Sequence, residues 1–169
     1  LGDSFLSRRP VRELLAERVP ATLELAAAAL ALAVAIALPL GVIAARNSAM
    51  RLAQGEFLVC LDPDDRFQPT YLEKAVLFLR THPEISIVYP WQQTIGAKEE
   101  RWETADLDPA QIGLANHVPV CAVFRRDALV ETGGFSTEMS DGVEDWEFWT
   151  HAAELGFSGR VIRESLFEY

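Results

Sequence analysis

Asp62-Pro63-Asp64-Asp65 places three carboxylates within four residues. Charges of one sign this close repel, and a fold that gathers them needs a cation to offset the repulsion. Oxygen ligands of this kind suit Mg²⁺ or Mn²⁺ shared with a diphosphate. A calcium loop does not fit, because the D-x-D-x-D-G spacing and its late Glu are absent. Taken alone, the cluster also reads as an acidic turn with Asp65 capping the next helix. A second acidic pair lies in Gly142-Val143-Glu144-Asp145-Trp146. Acids in the first turn of a helix can do no more than complement its dipole. The same helix end would keep Asp145 ionised, and an ionised carboxylate there is a competent general base for a hydroxyl. Between the two acidic groups, Gly133-Gly134-Phe135 permits either a tight turn or close backbone approach to a ligand.

The elements that must position these residues follow an α/β pattern after Asn47. Phe57–Leu61 is a short apolar run that breaks into the Asp62–Asp65 cluster, as a buried parallel strand would. Ligands of open parallel sheets bind outside such strand ends. Pro69 opens a helix with Leu72, Ala75, Val76 and Leu79 on one face, stopped by Pro83. Ile85–Tyr89 and Val118–Phe124 read as strands, with an irregular polar loop over 96–112 between them. A short helix ends at Gly133-Gly134, and a last one runs from Asp145 to Leu155, closed by Gly156. Gly159–Arg163 is a candidate final strand.

The 169 residues carry a formal charge of −10. Residues 1–46 hold five Arg and four acids, so the acidity lies in the remainder. An acidic body argues against nucleic acid as a partner. Cys60 and Cys121 stand far apart without a Cys/His cluster, and are expected as buried thiols in a reducing compartment. Leu25–Ala45 is uncharged over 21 residues. As a helix it would span ~31 Å, close to the hydrocarbon thickness of a bilayer. A membrane-spanning helix over about 22–45 is the expectation, with a buried soluble helix as the alternative. A shorter helix from Pro10, bearing Val11, Leu14, Leu15 and Val19 on one side, should end at Pro20. Arg8, Arg9, Arg12 and Arg18 before the run outnumber Arg46 and Arg51 after it, which on charge alone puts the N-terminus inside.

In order and spacing, several stretches together resemble the GT-A glycosyltransferases of family 2. They are Ala45-Arg46-Asn47-x-Ala49, Ala53-Gln54-Gly55-Glu56-Phe57, Asp62–Asp65 with Pro69, Arg125-Arg126-Asp127-Ala128-Leu129, Gly133-Gly134-Phe135 and Gly142-x-Glu144-Asp145-Trp146. The resemblance covers about residues 45–169 and implies a partial, mostly parallel Rossmann-like α/β sheet with flanking helices. It implies inverting transfer of a sugar from a nucleotide-diphosphate donor to a saccharide or other hydroxyl acceptor. Asp62 matches the position near the nucleoside and ribose, Asp64 the metal-binding carboxylate for Mg²⁺ or Mn²⁺, and Asp65 its support. Asp145 matches the catalytic base, with Gly134, Phe135, Glu144 and Trp146 around the acceptor. His151 stands where many relatives have an arginine facing the diphosphate. The Q-x-x-R-W signature of processive synthases is absent, which favours single transfer over polymer synthesis.

Residues 1–45 resemble a different family. Gly2-Asp3-Ser4-Phe5, Arg9-Pro10-Val11, Glu17-Arg18-x-Pro20-Ala21-Thr22-Leu23-Glu24-Leu25 and Leu40-Gly41-Val42-x-Ala44-Ala45 look like a piece of a dipeptide/oligopeptide ABC-transporter permease. That resemblance implies a chain emerging in the cytoplasm, opposite to the arginine count. It implies an inner- or plasma-membrane protein whose C-terminal domain, from about residue 47, is cytoplasmic. No early strand–helix–strand unit for a nucleoside is evident, so a junction of two gene fragments within Gly41–Asn47 and impaired turnover are expected. The competing expectations are a permease fragment joined to an inactive domain, and a metal- or sugar-binding module without turnover.

Overall fold

The computed structural model describes residues 10–96, 99–137 and 143–169. Gly2–Phe5, Arg8, Arg9 and Gly142, and the side chains of Val11, Leu14 and Leu15, lie outside the described residues. The chain forms two compact units, Leu1–Gly41 and Val42–Tyr169.

Helix α1 is assigned over Val11–Leu52. The helix expected to stop at Pro20 instead continues through positions 20 and 39, both proline, although each lacks a backbone donor. In the first unit Leu23, Leu25, Leu30, Leu32 and Val34 are exposed. Among the described residues no helix is long and apolar enough to cross a membrane, so the span expected over 22–45 is not shown.

The second unit is an α/β sandwich around one sheet. Its elements are β1 (Phe57–Leu58), β2 (Arg66–Phe67), α2 (Tyr71–Thr81), β3 (Ile87–Gln93), β4 (Arg101–Trp102), α3 (Pro109–Ile112), β5 (Val123–Arg125), α4 (Arg126–Thr132), α5 (Glu144–Glu154) and β6 (Gly159–Glu168). The strand order is β1-β5-β3-β6-β2, with β4 added to β3. Among these pairings β3 with β6 is parallel, and β1/β5, β2/β6, β3/β4 and β3/β5 are antiparallel. The mostly parallel sheet expected from sequence is therefore a mixed one. β1 and β3 do run the same way, joined by α2, but β5 lies between them and opposes both.

Both faces of the sheet are covered, which explains the unbroken apolar runs. Side chains alternate along each strand. Ile87, Tyr89 and Phe124 point to a core with Ile43, Met50, Phe148 and Trp149, whereas Val88 and Val123 point to α2 residues Tyr71, Ala75 and Leu79. On α2 the buried face is led by Tyr71, and the expected Leu72 is exposed. The Tyr71 hydroxyl donates to the Cys121 carbonyl at 2.7 Å, which sets the helix's rotation. The expected strand over 118–124 is reduced to β5, because residues 119–122 close a turn at Pro119. The 96–112 loop contains β4 and α3, and β6 runs beyond Arg163 to Glu168.

Several residues of the family-like stretches hold backbone in place. The Asn47 side chain, buried on α1, accepts from the Phe135 N–H at 2.9 Å and donates to the Phe135 carbonyl at 2.7 Å. Gly134 has φ +96°, and a Cβ there would meet Asn47 Oδ1 at 2.8 Å. Arg125 donates to the Ile85 and Leu79 carbonyls, and Arg126 makes two bonds to the Gly55 carbonyl. Removing Asn47 leaves two buried backbone groups unpaired. Asn47→Ala is expected to lower unfolding free energy by about 2–4 kcal/mol. Urea denaturation checks this, and a loss within error of zero would refute the clamp.

Candidate active site

The sharp turn after β1 gathers the first acidic cluster, closed by the Asp65 N–H donating to the Asp62 carbonyl at 3.1 Å. The second pair opens α5, where Glu144 and Asp145 are the first two residues. Asp62, Asp64, Asp65 and Asp145 line one cleft of about 640 Å³. Gln92, Trp102, Thr104, Asn116, His117 and Tyr169 share its walls.

Arg46, near the end of α1, ties the two clusters together. Its Nη2 lies 2.7 Å from Asp62 Oδ1, and its Nη1 lies 3.0 Å from Glu144 Oε1. The guanidinium also stands 5.4 Å from the Phe135 ring centroid, a cation–π contact. The Arg46 and Glu144 side chains are only 13% and 15% exposed, so water screens this pair weakly.

Asp145 accepts from the Trp146 N–H at 2.7 Å through Oδ1 and from Asn116 Nδ2 at 3.3 Å through Oδ2. Asn116 is oriented in turn by the Val118 N–H, which donates to its Oδ1 at 3.1 Å. Burial pushes the Asp145 carboxyl above its ordinary range, against the lowering effect of the Trp146 N–H. Glu144 adds to the rise, and Asn116 and Arg46 oppose it.

The remaining predicted residues are placed elsewhere. Glu144 faces Arg46. Phe135 is buried in the core, and Gly134 borders a separate hollow beside Asn47 and Leu129. The Trp146 indole donates to the Ile112 carbonyl. Trp146 and His151 line a groove of about 550 Å³ with Glu147 and Glu154. Cys60 and Cys121 are buried and unbridged, and burial pushes the Cys60 thiol up to about 11. Among the described residues no group of three or more His, Cys, Asp or Glu is arranged to hold a metal ion. Arg46 holds Asp62, so Asp64 and Asp65 are the carboxylates of the first cluster outside that ion pair. One or two carboxylates completed by substrate phosphates are what Mg²⁺ requires.

Several residues at the site were not assigned there from sequence, among them Arg46, whose charge read as a flank of the apolar run, and Thr104, Asn116 and His117. Asn116 sits two residues before the N–H it captures, the one local signal of an Asx-type turn.

Burial, then Asp62 and Asp64, push the Asp65 carboxyl up from 3.8 to about 6. Below 3.8 it is protonated in both folded and unfolded chains, and above about 6 it is ionised in both. Ionisation is disfavoured only in the folded chain, so this residue's contribution to stability falls as pH rises across that interval. Denaturation midpoints in chelator should show this fall in the wild type, and Asp65→Asn should remove it. Parallel pH curves for the two proteins would contradict the assignment.

Comparison with known proteins places this geometry. The model of the family described as "Glycosyl transferase family 2" matches residues 35–133, beginning inside the stretch that resembles a permease in sequence. An uncharacterized glycosyltransferase of Haemophilus influenzae is 28% identical over 117 residues, covering 64% of this chain and 39% of that protein. The uncharacterized glycosyltransferase YwdF of Bacillus subtilis is 28% identical over 127 residues, covering 68% and 45%. The amylovoran biosynthesis glycosyltransferase AmsE of Erwinia amylovora is 24% identical over 125 residues, covering 69% and 46%. The chain thus spans less than half the length of these relatives. Among solved structures, S. aureus TarS 1–349 in complex with UDP superposes with a TM-score of 0.61 at 20% identity, over 73% of this chain and 38% of that one. TarS 1–349 in complex with UDP-GlcNAc gives 0.61 at the same identity, over 73% and 37%. The likeness to TarS supports the α/β fold. With the family model covering more than half of its residues, the chain belongs to glycosyl transferase family 2.

Proposed function

We propose that the second unit performs inverting transfer of a sugar from a nucleotide-diphosphate donor to an acceptor hydroxyl. The observation that supports this most directly is the single cleft shared by Asp64 and Asp145. A donor diphosphate lies toward Asp64 and Asp65, its nucleoside toward Asp62. A bound Mg²⁺ or Mn²⁺, held there by Asp64 with Asp65, would offset charge developing on the leaving diphosphate. The acceptor oxygen attacks the anomeric carbon from the side opposite the diphosphate. As that bond forms, the carbon–oxygen bond to the diphosphate breaks and its electron pair leaves with the diphosphate. Asp145 takes the acceptor proton. Its raised pKa strengthens it as a base, and the Trp146 N–H and Asn116 amide keep its oxygens aimed. Arg46 holds Glu144, the base's neighbour, in register with Asp62. The two TarS complexes, with UDP and UDP-GlcNAc, favour a nucleotide-sugar donor here by analogy.

The test is release of nucleoside diphosphate from a panel of nucleotide sugars with Mn²⁺ present. Asp145→Asn should reduce release by about 10²–10⁴-fold, the usual range for removing an acid–base group, and Asp64→Ala should reduce it through loss of the metal-holding carboxylate. Wild-type release indistinguishable from that of both variants would leave only a binding module.

We also propose that residues of about 22–45 attach the protein to a membrane, with the second unit on the cytoplasmic side. The uncharged 21-residue run and its exposed leucines support this reading. The full chain should then sediment with membranes and resist alkaline carbonate. Complete recovery in the soluble fraction would refute the attachment.

A further inference from the structure

The sheet ends at β1, which has β5 on one side and, among the described residues, no strand on the other. The Arg126 N–H donates to the Glu56 carbonyl at 3.1 Å, and Leu58 stands opposite Phe124. In an antiparallel pair such bonds recur at every second residue. Leu58 therefore turns its N–H and carbonyl toward β5, and Phe57 and Val59 turn theirs to the outer edge. Val59, Cys60 and Leu61 carry on toward Asp62 with no sheet partner among the described residues. Edge strands are commonly blunted by a charge, a proline, a bulge or a covering element. Phe57–Leu61 has no charge and no proline, and Leu61 is 48% exposed. Beside this edge lies a hollow of about 540 Å³. Ala45, Ala49 and Ala53 line it from α1, and Leu58–Leu61 line it from the strand. Three methyl side chains spaced four residues apart lie on one face of the helix and leave room between helix and strand. Asp62 lines both this hollow and the cleft, so the two adjoin.

We propose that this edge and its hollow dock an apolar β-strand of a separate polypeptide. Main-chain bonds to Phe57 and Val59 supply the affinity, and side chains entering the hollow supply the selectivity. A partner strand of about five residues, roughly 17 Å long, matches Phe57–Leu61. The lining sets the partner's chemistry. Its charged members, Arg46 and Asp62, are paired with each other, and Arg46 also holds Glu144. The hollow thus offers no free charge to an acidic or basic segment and suits an uncharged one. A second copy of this chain fits less well. The antiparallel register that places Val59 opposite Val59 also sets Glu56 of each copy opposite Asp62 of the other. Like charges directly opposite destabilise a strand pair. Docking requires neither nucleotide, metal nor turnover, so it holds or fails apart from the transfer reading.

The test follows amide hydrogen exchange in the full chain with a blocked, uncharged peptide, Ser-Thr-Val-Ile-Val-Thr-Ser. Exchange at the Phe57 and Val59 N–H groups should slow by about tenfold when the peptide is present, as expected for amides that gain a bonded partner. The peptide Ser-Thr-Pro-Pro-Val-Thr-Ser should not slow it, because adjacent prolines remove a donor in either register. Ala49→Leu fills the hollow from an exposed helix position, and Leu61→Lys charges the edge. Each should weaken the protection while circular dichroism shows the chain still folded. Exchange at both amides indifferent to the apolar peptide overturns the proposal, as does protection that either substitution leaves intact. Protection that appears without peptide as protein concentration rises, with the mass of a dimer in sedimentation, assigns the edge to a second copy and also overturns it.

Discussion

A single guanidinium joins the two acidic regions of this site. Arg46 reaches Asp62, 16 positions away, and Glu144, 98 positions away. Bringing the first acidic turn beside the start of α5 sets five carboxylates near one another, and their repulsion opposes folding. Arg46 provides internal compensation from a helix end already anchored by Ile43, Asn47 and Met50 in the core. A partly buried pair of this kind adds little net stability over apolar packing, yet losing one partner leaves the other charge poorly compensated. Its value is therefore in register. It fixes Asp62 relative to Glu144, and with Glu144 the adjacent Asp145.

The motif residues divide into two physical groups. Asn47, Gly134, Arg125 and Arg126 act on backbone: they satisfy carbonyls and N–H groups, or leave room for them. Asp62, Asp64, Asp65 and Asp145 face the cleft. The first group lets the second converge. Asn47 pins the chain at Phe135, and the Phe135 ring packs against Phe148 of α5, the helix that carries Asp145, at 4.8 Å between centroids. Gly134 is required there because a side chain would strike the Asn47 side-chain oxygen, Oδ1. A glycine pair that reads in sequence as a possible ligand contact is explained locally by this close approach.

Legibility in sequence followed the range of each interaction. Helices α2 and α5 were visible because apolar spacing and proline or glycine stops are local signals. On α2 the expected Ala75 and Leu79 are buried, but Tyr71 enters the core in place of Leu72, because it is oriented by a carbonyl 50 positions away. Strand direction was also beyond reach. A run buried on both faces looks the same whether its neighbour is parallel or antiparallel, and the insertion of β5 between β1 and β3 leaves no periodic trace. The first acidic cluster was legible because three carboxylates within four residues are a local signal, and the fold places them in one cleft with Asp145. Asn116, His117 and Thr104 were not, because each matters only through what the fold places opposite it.

Asp145 illustrates how two local rules compete at a site. A helix N-terminus favours the ionised carboxylate, and the Trp146 N–H bonds to it as that rule expects. Burial and the adjacent Glu144 favour the neutral acid, and burial is the largest influence. Were the helix end to dominate, the carboxylate would remain ionised but weakly basic. Were burial to act alone, the group would lose the hydrogen bonds that aim it. The combination gives a carboxylate with a raised proton affinity and a fixed direction, and each property comes from a different part of the chain. Burial comes from packing around α5, and direction from its first turn and from Asn116. The proposed role of Asp145 as base for a hydroxyl needs both at once, and so rests on the long-range register that Arg46 and Asn47 impose.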